Sequence, residues 1–277
     1  MRRAVIAGVG LMGGSLGMAL RRRGWRVIGL GRDAARLARA RRRGAIDEGH
    51  TDPARALAGA TVVVLCAPVD RLAEQARRLK PFVPPAALVM DVGSVKRDVV
   101  HALSVVFPPG GPAYIGAHPM TGSEKTGVEN ARPDLYRGAP CVVTPSPRSR
   151  PRDVARAESF WRSIGARVVR LSPADHDRAV AVVSHLPHLM ADALMLTAGR
   201  AGAKLLFRLA AGSFRDATRV AGADPLLWRA IFTRNDAAVR QALSDFQKAL
   251  RGLSRGWPLA TLRRARALND EFRKDHR

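Results

Sequence analysis

The sequence predicts an α/β N-terminal half, folded as a doubly wound parallel sheet, followed by an all-α C-terminal half. Two observations carry the prediction. Up to about residue 172, short β-branched runs alternate with helical stretches at the spacing of βαβ units, which implies a parallel sheet. From Asp175 onward no strand-like run recurs, and long segments of helical apolar periodicity take over. The boundary falls near Pro173, giving units of residues 1–172 and 173–277.

Residues 5–9 read as a strand, 13–23 as a helix, 26–30 as a strand and 34–43 as a helix. Residues 61–66 are apolar without alternation, as expected of a strand buried on both faces. A helix at 72–79, a strand at 87–92, a helix at 95–105 and strands at 114–117 and 141–144 follow. A helix at 152–164 and a strand at 167–171 close this half, with proline-rich surface loops at 108–112 and 145–151. Helical periodicity then marks 179–198, 204–211, 225–233, 237–253 and 259–272.

Gly8-Val9-Gly10-Leu11-Met12-Gly13 is a G-x-G-x-x-G element between the first strand and the first helix. In that context it is the dinucleotide fingerprint of a Rossmann-type domain. Gly8 permits the tight turn, Gly10 lets backbone approach a pyrophosphate, and Gly13 lets helix and strand pack closely. The phosphates then sit on the free N–H groups of Leu11, Met12 and Gly13 at the helix start, with Gly14 and Ser15 extending the cradle. Ala67 and Pro68, just past the strand at 61–66, are expected to touch the same cofactor. At the end of the second strand, where NAD enzymes usually place a carboxylate for the ribose 2′-OH, Gly31 and Arg32 occur instead. Glycine leaves room for a 2′-phosphate and Arg32 can pair with it, so NADP is favoured over NAD. The alternatives are that Arg32 stacks on adenine, or that Asp33 takes the ribose after a small shift.

The hydrophobic fraction of 47% supports sizeable cores. The net charge of +24 raises nucleic acid as a partner, but such a protein gathers its basic residues on one face with aromatics to stack bases. Here arginines run along the whole chain, lysines number six and aromatics are 5%. The positive field instead suits anionic cofactors and substrates. No run approaches the roughly 20 apolar residues that span a bilayer. The start, Met1-Arg2-Arg3-Ala4-Val5, lacks a secretory signal. Cys66 and Cys141 lie in strand-like runs and form no disulfide framework. A cytoplasmic protein, with neither nucleic-acid nor membrane partner, is expected.

His118 follows the strand at 114–117, within Gly116-Ala117-His118-Pro119-Met120-Thr121-Gly122-Ser123-Glu124. The carboxyl ends of strands face the ligand crevice in a doubly wound sheet, so His118 is expected to face the nicotinamide. Oxidation of an alcohol needs a base of near-neutral pKa for the hydroxyl proton, a role suited to histidine. His185 and His188, three apart, share a helical face with no carboxylate or cysteine at ligand spacing, so no metal is expected.

Five segments in order resemble the prephenate dehydrogenase family, including arogenate and cyclohexadienyl dehydrogenases. They are residues 8–15, Asp91-Val92-Gly93-Ser94-Val95-Lys96, residues 118–124, Val183-Ser184-His185-Leu186-Pro187-His188, and Gly212-Ser213-Phe214-Arg215-Asp216-Ala217-Thr218-Arg219, with Trp228 following. The resemblance implies NAD(P)-dependent oxidative decarboxylation of prephenate to 4-hydroxyphenylpyruvate on the route to tyrosine. It gives His118 the role of hydroxyl-proton acceptor and Ser94 that of orienting it. It implies that Arg219 holds the ring carboxylate, that His188 lies near the substrate side chain, and that Ser123 and Glu124 line the site. Ser94 has a rival reading as N-cap of the helix at 95–105.

Within 277 residues there is no room for a separate regulatory or mutase domain, so any tyrosine feedback is expected at the active site. The active site is expected between the two halves, with a homodimer formed through the helical one. Prephenate and arogenate differ only in a keto or amino group and stay unresolved as substrates. Another two-domain hydroxyacid dehydrogenase is a rival, although Lys204 and Lys248 lack the motif that would make either its base. A non-catalytic dinucleotide- or nucleic-acid-binding protein is the rival from another class.

Overall fold

The computed structural model describes residues 2–200 and 202–274; Met1, Ala201 and residues 275–277 of the two expected units lie outside the described residues. The first half runs β1 (Arg3–Ala7), α1 (Leu11–Arg21), β2 (Arg26–Leu30), α2 (Ala34–Arg42), β3 (Glu48–His50), α3 (Pro53–Leu57), β4 (Val62–Leu65), α4 (Leu72–Leu79) and β5 (Leu88–Asp91). It continues with α5 (Arg97–Val106), β6 (Ala113–Pro119), β7 (Pro140–Thr144), α6 (Pro151–Ser163) and β8 (Arg167–Arg170). The sheet order is β3-β2-β1-β4-β5-β6-β7-β8.

The strands from β3 to β6 are all parallel. The order reverses at β1, between β2 and β4, which is where an open α/β sheet leaves its ligand crevice. β1, β4 and β5 are almost wholly buried because helices cover both faces. One face packs under α1 and α6 around the fully buried Trp161, and the other under α4 and α5.

Three features depart from the sequence expectation. β3 and α3 were not expected: Glu48-Gly49-His50 carries no apolar run, and α3 spans only five residues behind its Asp52 cap and Pro53. β7 is antiparallel to β6, so the sheet is mostly rather than wholly parallel. A parallel neighbour requires a crossover, usually helical. The segment joining β6 to β7 holds only a short 3-10 turn, Val128–Asn130, which lies so close to α1 that a Cβ on Gly14 would strike Val128 and Ala131. α6 then supplies the crossover that makes β8 parallel to β7.

The second half is helical: α7 (Pro173–Val180), a π-turn at Ala181–His185, α8 (Leu186–Arg200), α9 (Ala203–Leu209), α10 (Gly212–Thr218), a 3-10 turn at Arg219–Gly222, α11 (Pro225–Arg234), α12 (Asp236–Ser254) and α13 (Leu259–Lys274). Its buried core is thin, centred on Ala181, Val239 and Ala242. Val182, Val183, Leu194, Leu196, Leu205 and Leu209 are exposed. The continuous segment Pro173–Arg200 is, by length and composition alone, long and apolar enough to cross a bilayer, with 28% of its apolar window buried. The sequence expectation missed it because Ser184, His185, His188 and Asp192 interrupt the run without lowering its average far.

Candidate active site

The glycine loop is built as its spacing predicts. Gly8 has φ +107°, a conformation that side chains disfavour, and a Cβ there would press on the Cys66 carbonyl oxygen at 3.0 Å. A Cβ on Gly13 would collide with the Gly8 carbonyl oxygen and the Ile6 side chain. Gly10 is the residue before α1 and meets nothing within 4 Å, so its open side is available to a ligand. The fit to a dinucleotide pyrophosphate is therefore steric as well as electrostatic: Leu11, Met12 and Gly13 form the first turn, whose N–H groups have no intrahelical acceptors. Gly14 and Ser15 do not extend the cradle. The N–H of Gly14 bonds the Gly10 carbonyl, and the buried Ser15 Oγ accepts from the Arg132 N–H at 3.0 Å. Ala67 and Pro68 follow β4 beside the loop, Ala67 against the core and Pro68 exposed.

At the end of β2, Gly31 is half-buried and its N–H bonds the His50 carbonyl at 3.3 Å. Asp33 is committed to α2, where its carboxylate caps the N–H groups of Ala35 and Arg36 at 2.8 and 3.1 Å. These bonds hold its pKa below the ordinary carboxylate value. Arg32 is exposed and makes no ion pair among the described residues.

His118 lies inside β6, near its carboxyl end, and is 8% exposed. Its Nδ1 lies 2.8 Å from Nε2 of His176, and Nδ1 of His176 lies 2.7 Å from the Asp177 carboxylate. Beneath the strand end, the fully buried Lys96 ammonium bonds both oxygens of Asp91, one at 2.6 Å, and the Ala117 carbonyl at 2.9 Å. Burial, then the neighbouring His176, Lys96 and His185, hold the pKa of His118 well below 6.5. Burial likewise raises Asp91, more than Lys96 lowers it. His118 is thus neutral at neutral pH, as a general base must be.

Ser94 is half-buried in the loop after β5 and makes no hydrogen bond among the described residues. It does not cap the following helix, which begins two residues later than expected. The carboxylate of Asp177 caps it from another element, accepting from the N–H groups of Lys96 and Arg97 at 2.8 and 2.9 Å. The backbone carbonyl of Asp177 also accepts from Asn235 Nδ2 at 2.9 Å, and the same amide donates to Nδ1 of His185 at 3.1 Å. Burial depresses the pKa of His185 to about 4.

Arg219, in the turn after α10, pairs with Glu124 of the β6–β7 segment at 3.0 Å, bridging the two halves of the chain. The Glu124 N–H, then the charge of Arg219, keep that carboxyl below its usual range. Ser123 is exposed and accepts from the Lys125 N–H at 3.0 Å. His188 stacks on Trp228, ring centroids 3.6 Å apart and planes within 12°, with its Nδ1 buried and unpartnered. The loop residues 8–13, Ala67, Ser94 and His118 thus lie at the carboxyl ends of the neighbouring strands β1, β4, β5 and β6, while Arg219 and His188 come from the helical half.

Sequence reasoning assigned no role to Asp91, Lys96, His176, Asp177 or Asn235. An Asp closing an apolar strand with a lysine five residues on was a usable signal for the first two. His176 and Asp177 sit in Ala174-Asp175-His176-Asp177-Arg178, which reads as a polar helix start and gives no sign of contact with His118.

Residues 16–170 match the family described as "Prephenate dehydrogenase, nucleotide-binding domain", and residues 172–256 the one described as "Prephenate dehydrogenase, dimerization domain". A prephenate dehydrogenase of Bacillus subtilis is 32% identical over 236 residues, 83% of this chain, which spans only 63% of that protein's length. A solved A. aeolicus prephenate dehydrogenase, in complex with hydroxyphenyl propionate and NAD+, superposes with TM-score 0.85 at 34% identity, covering 99% of this chain and 96% of that one. A Synechocystis arogenate dehydrogenase structure gives TM-score 0.82 at 32% identity, covering 99% and 100%.

Proposed function

The chain belongs to the prephenate dehydrogenase family, and from that premise we propose that it converts prephenate to 4-hydroxyphenylpyruvate, a step of tyrosine biosynthesis. The observation that carries the reading is the state of His118: neutral, nearly buried, held through Nδ1 and with no hydrogen-bond partner at Nε2 among the described residues. The bound nicotinamide supplies a hydride acceptor. His118 Nε2 receives the proton from the hydroxyl oxygen as the hydride leaves the carbon that bears that hydroxyl. The carboxylate across the ring departs as CO2, and its bonding pair completes an aromatic ring. Aromatisation drives the step and leaves a phenolate oxygen, so the protein has to position the substrate, take one proton on His118 and return it to that oxygen.

The site roles follow this chemistry. Arg219 offers a planar fork to the ring carboxylate, and Glu124 pairs with the guanidinium. Ser94 has an uncommitted hydroxyl to lend to His118 or to the substrate hydroxyl. His188, backed by Trp228, is assigned to the side-chain end, with Ser123 at the rim. The similarity to an arogenate dehydrogenase makes arogenate the second substrate to try.

The unit of residues 1–172 is assigned to the dinucleotide and that of 173–277 to substrate binding and dimerisation. The dinucleotide is read as NADP, since Gly31 leaves space, Arg32 is uncommitted and Asp33 is spent on α2. A homodimer through the helical half accounts for its exposed apolar side chains. The test is the initial rate of nicotinamide reduction with prephenate, using NADP and NAD in parallel and His118→Asn as control. Turnover that collapses in the variant supports the reading. Turnover with neither prephenate nor arogenate overturns it.

A further inference from the structure

We propose that His176 and Asp177 are positioning residues that lock His118 in the Nδ1–H tautomer and so present the Nε2 lone pair to the substrate hydroxyl. The inference deepens the reading of His118 as the base and rests on it only for its catalytic consequence.

The argument follows donors and acceptors along the row. An ionised carboxylate only accepts, so the 2.7 Å contact from Asp177 requires a proton on Nδ1 of His176. A neutral imidazole carries one proton, which leaves Nε2 of His176 as an acceptor. The 2.8 Å contact between that atom and Nδ1 of His118 then requires a proton on His118 Nδ1. His118 is neutral too, so its Nε2 is bare. A cationic His176 would donate from both nitrogens and invert the assignment. Burial opposes that cation: His176 is fully enclosed, and its pKa is lowered despite Asp177. Lys96, with its charge close by, opposes it too, while Asp91 works weakly the other way.

The anchor of the row is rigid. Asp177 Oδ1 also accepts the Lys96 N–H, Oδ2 accepts the Arg97 N–H, and the Asp177 carbonyl is held by Asn235. Its carboxylate therefore cannot rotate away without uncapping α5. When His118 gains the substrate proton, the cation formed still donates through Nδ1 to His176, so the charge meets an acceptor already in place. The logic parallels that of a catalytic triad, in which a carboxylate fixes the tautomer of a histidine base. Here a second histidine stands between them.

The test is nitrogen NMR on 15N-histidine-labelled protein near neutral pH without substrate, assigned with His118→Asn and compared with His176→Leu and His176→Gln. The expected wild-type His118 signals are a protonated Nδ1 and an unprotonated Nε2. His176→Leu should give a mixture of tautomers and a kcat loss on the order of 10²-fold, with KM changed little. His176→Gln, which keeps an acceptor carbonyl, should recover most of both. A wild-type His118 protonated at Nε2, or a tautomer unaltered in His176→Leu, overturns the proposal. The wild-type spectrum decides even where a variant fails to fold. Absence of turnover with prephenate and arogenate would overturn the functional reading and leave the tautomer result standing.

Discussion

Lys96 and Asp91 form a fully buried ion pair directly beneath the strand end that carries His118, and Lys96 also holds the Ala117 carbonyl. Removing one member of such a pair strands the other's charge, which typically costs about 3–5 kcal/mol, whereas replacing both by apolar residues is often neutral. Lys96→Met is therefore expected to lower unfolding stability by that amount, and Asp91→Leu combined with Lys96→Met to restore most of it. Urea denaturation of the parent and the two variants checks this. A Lys96→Met protein as stable as the parent would mean that the pair is no structural anchor.

Acid should act on stability through the buried histidines. His185 has its pKa depressed from 6.5 to about 4 by burial. A depressed folded-state pKa means that the unfolded chain takes the proton first. The stability is full above pH 6.5 and is lost as pH falls from there towards 4, by about 3 kcal/mol for this residue alone. His176 and His188 shift in the same direction and add to the slope. Unfolding free energies at a series of pH values, for the parent and His185→Asn, should show a shallower acid loss in the variant. Activity should follow the same sign, since the base His118 is held neutral well below pH 6.5.

The dinucleotide half was legible because its signals are local. Gly8 and Gly13 each answer a steric need within a single βα turn, and unalternating apolar strands announce burial on both faces. The place of His118 near the carboxyl end of a strand was legible too. The groups around it were not, since His176 meets His118 from 58 residues along the chain and Asp177 meets the Lys96 N–H from 81. Hydrophobic periodicity has no term for a carboxylate that caps another element's helix. Ser94 shows the same limit from the other side: serine before a helix is a fair N-cap signal, yet the cap is Asp177.

Cofactor choice should turn on Arg32. It is exposed and unpaired, and a charge-assisted bond to a 2′-phosphate is worth roughly 1.5–3 kcal/mol. Arg32→Ala is expected to lower kcat/KM for NADP by about 10- to 100-fold and to leave NAD nearly unchanged. Gly31→Asp, whose Cβ would meet Leu37 at an ordinary 3.4 Å, should raise the NAD rate. Equal losses with both cofactors in Arg32→Ala would show that Arg32 does not read the phosphate.

Arg219 and Glu124 form an ion pair in which the arginine side chain is 61% exposed, so the pair should add little to stability. Glu124→Gln should unfold at the same urea concentration as the parent. Arg219→Ala should raise KM for the dianionic substrate by about 10- to 100-fold, and Arg219→Lys should not recover it, because an ammonium cannot match a carboxylate with two parallel bonds. Full recovery by lysine would reduce Arg219 to a source of positive charge.

The helical half has more apolar surface than its small core can use. Val183 is 66% and Leu196 67% exposed, both on the long segment Pro173–Arg200. Neither side chain supports the fold of its own chain, so Val183→Glu or Leu196→Glu should leave the monomer fold intact. In a dimer interface the same charge would be desolvated without a partner, at a cost of several kcal/mol. Sedimentation at micromolar concentration should therefore show a dimer for the parent and a monomer for at least one variant, with circular dichroism unaltered. A dimer that survives both changes would place the interface elsewhere on the helical half, such as on α9 with its exposed Leu205 and Leu209.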